Sequence, residues 1–536
     1  MAFSKRMRKY LWPIYGREHQ KFIPMMMVFF IISFNYNILR AAKDTLIVTA
    51  PSSGAEAIPF IKVWVMLPTA FLITYIFTRL SNKYKHEHVF YIMLTIFLAF
   101  FAIFTLVLYP ARDVLHPHNF IDKVAVYLPS GIKGFLAIFR NWTFTTFYVM
   151  SELWGTAILT VLFWGFANEV TPVHEAKRFY SLFGVGANIS GSFGGYVASI
   201  YARHKFTSAI PYGSTDWEQS VLLMNITVII GGIFIMLIYR FLHKKILTKD
   251  VFVRTVKKTA SPKMSLRKNF AYLAKSKYLI YMALIVLTYN ITINLTEIIW
   301  KNQVKMLYPN PSDYTNYMGH VMMYMGIIAT IIALFVSGNL LRKFNWVITA
   351  LLTPLIVLVT GILFFLSFSL HLPGFSFIAG FLNSTPLMLT VFFGSMQNCM
   401  ARASKYTLFD ASKEIAYIPL TSESKTKGKA AIDGVGSRIG KSGGSIIYQG
   451  LLLSVATLSA ATPYVAVIFL VVIGVWLFAT FALGKQFNVL NKQHENLLIE
   501  EEKKAQEEKA AAAAKQALAE KETQEEKEEE PTLIHS

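Results

Sequence analysis

Nine charged side chains interrupt or border long apolar stretches of this sequence: Arg40, Lys43, Asp44, Lys62, Glu152, Glu297, Lys301, Arg438 and Lys441. Six are cations and three are carboxylates. Phosphate oxygens accept short, charge-assisted hydrogen bonds from Lys and Arg, which offset the cost of desolvating those cations. The cationic excess therefore suits a polyanionic solute. Arg438 and Lys441 stand in "GVGSRIGKSGG", residues 434–444, which invites comparison with the phosphate-wrapping loop of an ATPase. That loop needs a glycine five residues before the glycine of its Gly-Lys-Ser, and Val435 occupies the place. Other reactive patterns are missing as well. The histidines form neither HExxH nor a close metal pair, there is no GxSxG, and the lone Cys399 excludes an intramolecular disulfide framework or a cysteine metal cluster. No cofactor is called for.

The elements that must position these charges are membrane helices. With 54% hydrophobic and only 15% charged residues, the chain has a membrane composition. A helix needs about 20 apolar residues to cross the hydrocarbon core. The sequence supplies twelve such stretches, at 22–42, 57–79, 88–109, 142–167, 178–201, 221–241, 279–300, 317–340, 346–370, 375–400, 430–456 and 463–483. The fourth, fifth, tenth and eleventh are rich in polar residues and glycine, which a bundle interior tolerates better than lipid does. The net charge of +21 follows topology: alternate loops are basic, and residues 240–277 hold twelve Lys and Arg against the single acid Asp250. The positive-inside rule places both termini in the cytoplasm, so the basic balance points to a lipid bilayer and not to nucleic acid. The first apolar stretch runs into Arg40 and Lys43 without a small-residue cleavage site, so it is expected to remain as a span.

The sequence repeats itself. "GVGANISGSFGG" from Gly184 matches the stretch from Gly434, and "YNILRAAKD" from Tyr36 matches "YNITINLTE" from Tyr289, placing Asp44 opposite Glu297. The expected fold is an all-α polytopic membrane protein of twelve transmembrane helices in two pseudo-repeated six-helix halves. Its parts are a basic N-terminus (1–21), the first half (22–241), a basic linker (242–278), the second half (279–483) and a charged, helical or disordered tail (484–536). Gly436, Gly440 and Gly444 recur every four residues, a small-residue stripe for close helix packing. Arg438 and Lys441 fall on another face of the same helix, roughly 130° away at 100° per residue.

A charge near mid-membrane costs about 2.5–3.5 kcal/mol and must face a partner or a cavity. Arg40, Lys43, Lys301 and Lys62 lie close enough to span ends to snorkel into headgroups instead. Glu152 and Lys441 lie deeper, where buried ion pairing is the structural alternative. Glu297 can close a pair with Lys301, four residues on. Tyr148, Trp154 and Trp164 could stack on a base, but packing is the ordinary use of such rings in membrane helices, and none is assigned to one.

From about Trp12 to Phe487 the chain resembles the ATP/ADP translocase family of intracellular bacteria and plastids. The resemblance is carried by "AEAIPFIKVW", "FYVMSELWG", "LFWGFANEVT", "EAKRFYSLFGVGAN", "INLTEIIWK", "KYTLFDASKEIAYIPL" and "KGKAAIDGVGSRIGKSGG". It implies a major-facilitator-like bundle in the bacterial inner membrane that moves nucleotides, commonly external ATP for internal ADP, without breaking a bond. Lys62, Glu152, Glu297 and Lys441 match charged residues important in that family. Together with Arg438, Lys43 and Arg40 they form the expected substrate-binding set, with ATP, ADP or another ribonucleotide as the partner. The sequence departs at "LRAAKD", where Ala41 replaces an acid that many exchangers carry. A proton-coupled ribonucleoside triphosphate symporter stays open beside exchange, with Glu152 or Glu297 as its titrating carboxylate.

Overall fold

The computed structural model describes residues 14–16, 18–247, 276–337, 343–371, 380–429, 432 and 436–529, and among them there is no strand. Among the described residues, nine helices are long and apolar enough to cross a membrane. In chain order they are α1 (Glu18–Val48), α2 (Ala57–Lys83), α3 (His86–Leu108), α4 (Trp142–Val170), α6 (Asp216–Ile246), α7 (Lys277–Leu307), α8 (Pro311–Phe335), α9 (Trp346–Leu370) and the apolar part, Leu458–Gln493, of α12. Three more polar helices fall where the fifth, tenth and eleventh spans are expected: α5 (Val173–Ala202), α10 (Pro386–Ser404) and α11 (Ser437–Val455).

The helix starts follow from local chemistry. Thr215 accepts a hydrogen bond from the Glu218 amide, and Asp216 and Glu218 lie in the first turn of α6, so negative charge meets the positive helix end. Thr385 likewise caps α10, with Pro386 as its first residue. This cap corrects the sequence expectation for the tenth span. The helix begins at Pro386, not near 375, and runs on through a π-helical turn, Lys405–Phe409, into Asp410–Ala416. Arg402, Lys405 and Asp410 are thereby drawn into the bundle. Residues 375–379 of that expected span, and 430, 431 and 433–435 of the eleventh, lie outside the described residues. The charged tail is helical as far as Glu529, continuous with α12, which runs unbroken from Leu458.

The bundle has two ends, that of Glu18 and that of Val48. Toward the Val48 end one buried core spans both halves, uniting Val48, Ile58 and Ile138 with Tyr448, Leu452 and Leu458. Toward the Glu18 end the second half has a separate core of its own, including Leu279, Met282, Phe409, Trp476 and Leu483. Polar ties across the halves reinforce the Val48 end. Lys305 donates to the Ser53 carbonyl, Gln449 donates to the Pro59 carbonyl at 3.1 Å, and Trp64 donates to Gln449 at 3.1 Å. Helices α5 and α8 cross so tightly that a Cβ on Gly195 would lie 2.5 Å from the Gly319 carbonyl oxygen.

At the same end, between α3 and α4, His116 is buried and shares a 2.6 Å hydrogen bond with the Thr143 hydroxyl. Burial, and then the neighbouring His118, push its imidazole down to about 4. The unfolded chain takes up this proton near its usual pKa of about 6.5 and the folded one does so only near 4, so the stabilisation is complete above pH 6.5 and falls away below it. We expect the wild-type thermal midpoint to drop more steeply between pH 6.5 and 4 than that of His116→Gln. Parallel pH profiles for the two proteins would refute this.

Candidate functional site

Apart from Arg438, the charges singled out from the sequence converge at mid-bundle, where α1 meets α7. Lys43 donates to Asp44 at 2.8 Å and pairs with Glu152 of α4 at 2.9 Å. Lys301 bridges the halves, holding Asp44 at 2.8 Å and Glu297, one helical turn before it, at 3.0 Å. The two acids matched by the internal repeat thus meet on one lysine. Glu297 also takes Arg402 at 2.8 Å and, across the interface, Arg40 at 3.7 Å. Lys43, Asp44 and Lys301 are buried, so neither lysine snorkels into headgroups. Lys43 also lies 3.9 Å from the centre of the Tyr148 ring, a cation–π contact that further stabilises its charge.

Lys62 does not snorkel either. It occupies a π-helical turn, Ile61–Met66, within α2 and donates to Asn294 of α7 at 3.0 Å. Such turns re-aim side chains and recur at functional sites. The amide of Asn294 in turn donates to the Lys441 carbonyl at 2.7 Å and to Ser445 at 3.0 Å, fixing α11 against α7. The Lys441 side chain is exposed, whereas Gly440 and Gly444 are buried. A Cβ on Gly440 would lie 2.8 Å from Asn290 Cβ, so the glycine stripe is the packing face. In the other half Gly194 packs on Asn37, the repeat partner of Asn290, again with 2.8 Å to its Cβ. The stretch that carries Lys441 is therefore helix and not a phosphate-wrapping loop. The Arg438 side chain lies outside the described residues.

Sequence reasoning left Arg402 and Lys405 out, because it ended the tenth span at 400. Lys405 pairs with Asp410 at 2.8 Å. Asp44 and Lys301 were visible as intramembrane charges but were not placed in the binding set. Of the three rings considered for stacking, Trp154 is buried and donates to the Ile32 carbonyl at 3.0 Å, Tyr148 is buried beneath Lys43, and Trp164 packs edge-on against Tyr180. None of the three is an open stacking platform. Counting Arg40, Lys43, Lys62, Lys301, Arg402, Lys405 and Lys441 against Asp44, Glu152, Glu297 and Asp410 leaves three positive charges unbalanced.

Two helical halves, tied at one end and meeting over a charged centre, make a major-facilitator-like fold. Solved structures of that architecture agree. The chain is similar to an inward-facing bacterial homologue of the iron transporter ferroportin (TM-score 0.55, 11% identity, 87% of this chain and 98% of that one). It is also similar to a D-xylose–proton symporter (TM-score 0.51, 12% identity, 86% and 96%).

The chain belongs to the TLC ATP/ADP transporter family, whose family model matches residues 2–487. ADP,ATP carrier protein 1 of Chlamydia pneumoniae is 47% identical over 487 residues, 90% of this chain and 94% of that protein. The chloroplastic ADP,ATP carrier protein 1 of Arabidopsis thaliana is 40% identical over 478 residues, covering 89% and 75%. ADP,ATP carrier protein 1 of Rickettsia bellii is 39% identical over 494 residues, covering 91% and 97%.

Proposed function

We propose that this protein exchanges nucleotides, ATP against ADP, across a bacterial inner membrane by alternating access. The observation that carries the reading is the cationic cluster at the junction of the halves, whose three unbalanced positive charges await an anion of comparable charge. Lys62, Lys441 and Arg438 meet the phosphates. Lys43 and Arg40 complete the cationic field, and Glu152 and Glu297 hold these cations while no nucleotide is bound. Bound phosphate and the two carboxylates then compete for the same donors, so the empty carrier keeps its cross-half ion pairs and reorients slowly. Obligatory exchange follows without hydrolysis.

In this reading α5, α10 and α11 cross the membrane with the nine apolar helices, lining the interior where their glycines and charges are tolerated. The Glu18 end faces the cytoplasm, in accord with its basic loops. The conformation is closed toward the Val48 end, where the cross-half hydrogen bonds lie.

Purified protein in vesicles preloaded with ADP should take up labelled ATP many times faster than in empty vesicles, and a protonophore should leave that uptake intact. Uptake that ignores internal nucleotide and collapses with the proton gradient would replace exchange by proton symport. Steady phosphate release from ATP by pure protein would overturn the transport reading itself.

A further inference from the structure

We propose that Tyr406 and Tyr36, one from each half, form the platform on which the nucleobase of the transported nucleotide stacks. The proposal rests on the cleft being a nucleotide site. Tyr406 belongs to the π-helical turn Lys405–Phe409 of α10. Its neighbours Thr407, Leu408 and Phe409 are buried, yet the Tyr406 side chain is 47% exposed. It nonetheless lies one helical turn beyond Arg402, which pairs with Glu297 at 2.8 Å, and so at the level of the charged centre. A large ring that is accessible at mid-bundle lines an internal space and does not face lipid. Lys405 lies 4.6 Å from the centre of the ring and is itself held by Asp410, so one cation is already fixed beside it.

Tyr36, on α1, lies one helical turn before Arg40, which reaches Glu297 across the interface at 3.7 Å. Its ring is half-buried and braced from behind by Gly155, where a Cβ would come within 2.8 Å of Tyr36 Cε2. The internal repeat shows that this arrangement is not a packing requirement. Tyr289, the counterpart of Tyr36 in the second half, is buried, stacked on Phe409 at 4.8 Å and edge-on to Trp476 at 5.6 Å. Among the described residues no aromatic ring occupies the equivalent place over Tyr36. The ring without such a partner belongs to the half opposite that of Tyr406.

The two tyrosines come from α1 and α10, while Lys62 and Lys441 come from α2 and α11. A nucleotide lying across the cleft therefore offers its base to the first pair and its phosphates to the second. Stacking of this kind tolerates all bases, because each has a π face, and it discriminates sharply against a solute without one.

The experiment compares ATP with inorganic tripolyphosphate, which carries the charge but no base. In ADP-loaded vesicles, Tyr406→Ala should raise KM for ATP roughly ten- to a hundredfold, the span expected for the loss of one base–aromatic stack. The inhibition constant of tripolyphosphate against the same uptake should stay within about twofold of its wild-type value. Tyr406→Phe should recover most of the affinity lost in Tyr406→Ala, since the ring and not the hydroxyl does the stacking. An unchanged KM in Tyr406→Ala overturns the proposal. A parallel rise of the KM and of the tripolyphosphate constant also overturns it, by placing Tyr406 in the phosphate site or the scaffold. A wild-type protein that moves no nucleotide would instead sink the underlying transport reading.

Discussion

Glu297→Gln should cut nucleotide exchange by at least a hundredfold in maximal rate while KM for ATP stays level or falls. The carboxylate holds Lys301 at 3.0 Å, Arg402 at 2.8 Å and, across the interface, Arg40 at 3.7 Å. Removing one member of a buried ion pair typically costs about 3–5 kcal/mol, equivalent to a factor of a few hundred to a few thousand. Lys301 keeps Asp44, but Arg402 and Arg40 lose the only ion-pair partner that the described residues give them. Both cations are then free for phosphate, which therefore binds at least as well. What disappears is the group that takes the cations back, and nucleotide release slows accordingly. Exchange kinetics in vesicles, normalised to the amount of inserted protein, decide the matter. A KM raised tenfold or more with the maximal rate retained would show instead that Glu297 grips the nucleotide directly.

The second large effect belongs to α11, whose two faces should fail differently. Gly440→Leu drives a branched side chain toward Asn290 and the Leu287 carbonyl, where even a lone Cβ would sit 2.8 and 3.1 Å away. Overpacking of a tight contact costs about 1–3 kcal/mol and often more where backbone must move, so the amount of protein in the membrane should fall severalfold. The surviving fraction should keep its KM. Lys441→Ala instead removes an exposed cation, with normal abundance and a KM raised about ten- to a hundredfold, as expected for a charge-assisted hydrogen bond of about 1.5–3 kcal/mol. Abundant Gly440→Leu protein with altered nucleotide preference, beside Lys441→Ala protein of unchanged affinity, would reverse the assignment of the faces.

Much of this arrangement is legible in the sequence because it depends on spacing within a helix. The four-residue glycine stripe of α11 and the Glu297–Lys301 pair both follow from helical periodicity, and both are present. The internal repeat anticipates that Asp44 and Glu297 occupy comparable depths. It does not anticipate that Lys301 joins them, because a contact between α1 and α7 depends on how the halves dock. Arg402 and Lys405 escaped for a different reason. Hydropathy favours the most apolar window, whereas Thr385 and Pro386 start α10 eleven residues later than that window does, carrying its charged end inward. Tyr406 escaped with them. In sequence it is one aromatic among many, and only its accessibility at mid-bundle sets it apart.

The continuity of α12 gives the second half a lever arm. The helix is anchored by Trp476, Leu483 and Phe487 in the separate core of that half, and then runs without a break to Glu529. At 1.5 Å per residue the stretch from 494 to 529 projects about 54 Å beyond the last apolar residues. Whatever angle the second half turns through, the rod turns with it. A rotation of about 10° displaces the tip by roughly 9 Å over that length. A spectroscopic label near the end of the rod, measured against one on the first half, would read each reorientation of the carrier as an amplified change in distance, without any modification of the cleft itself.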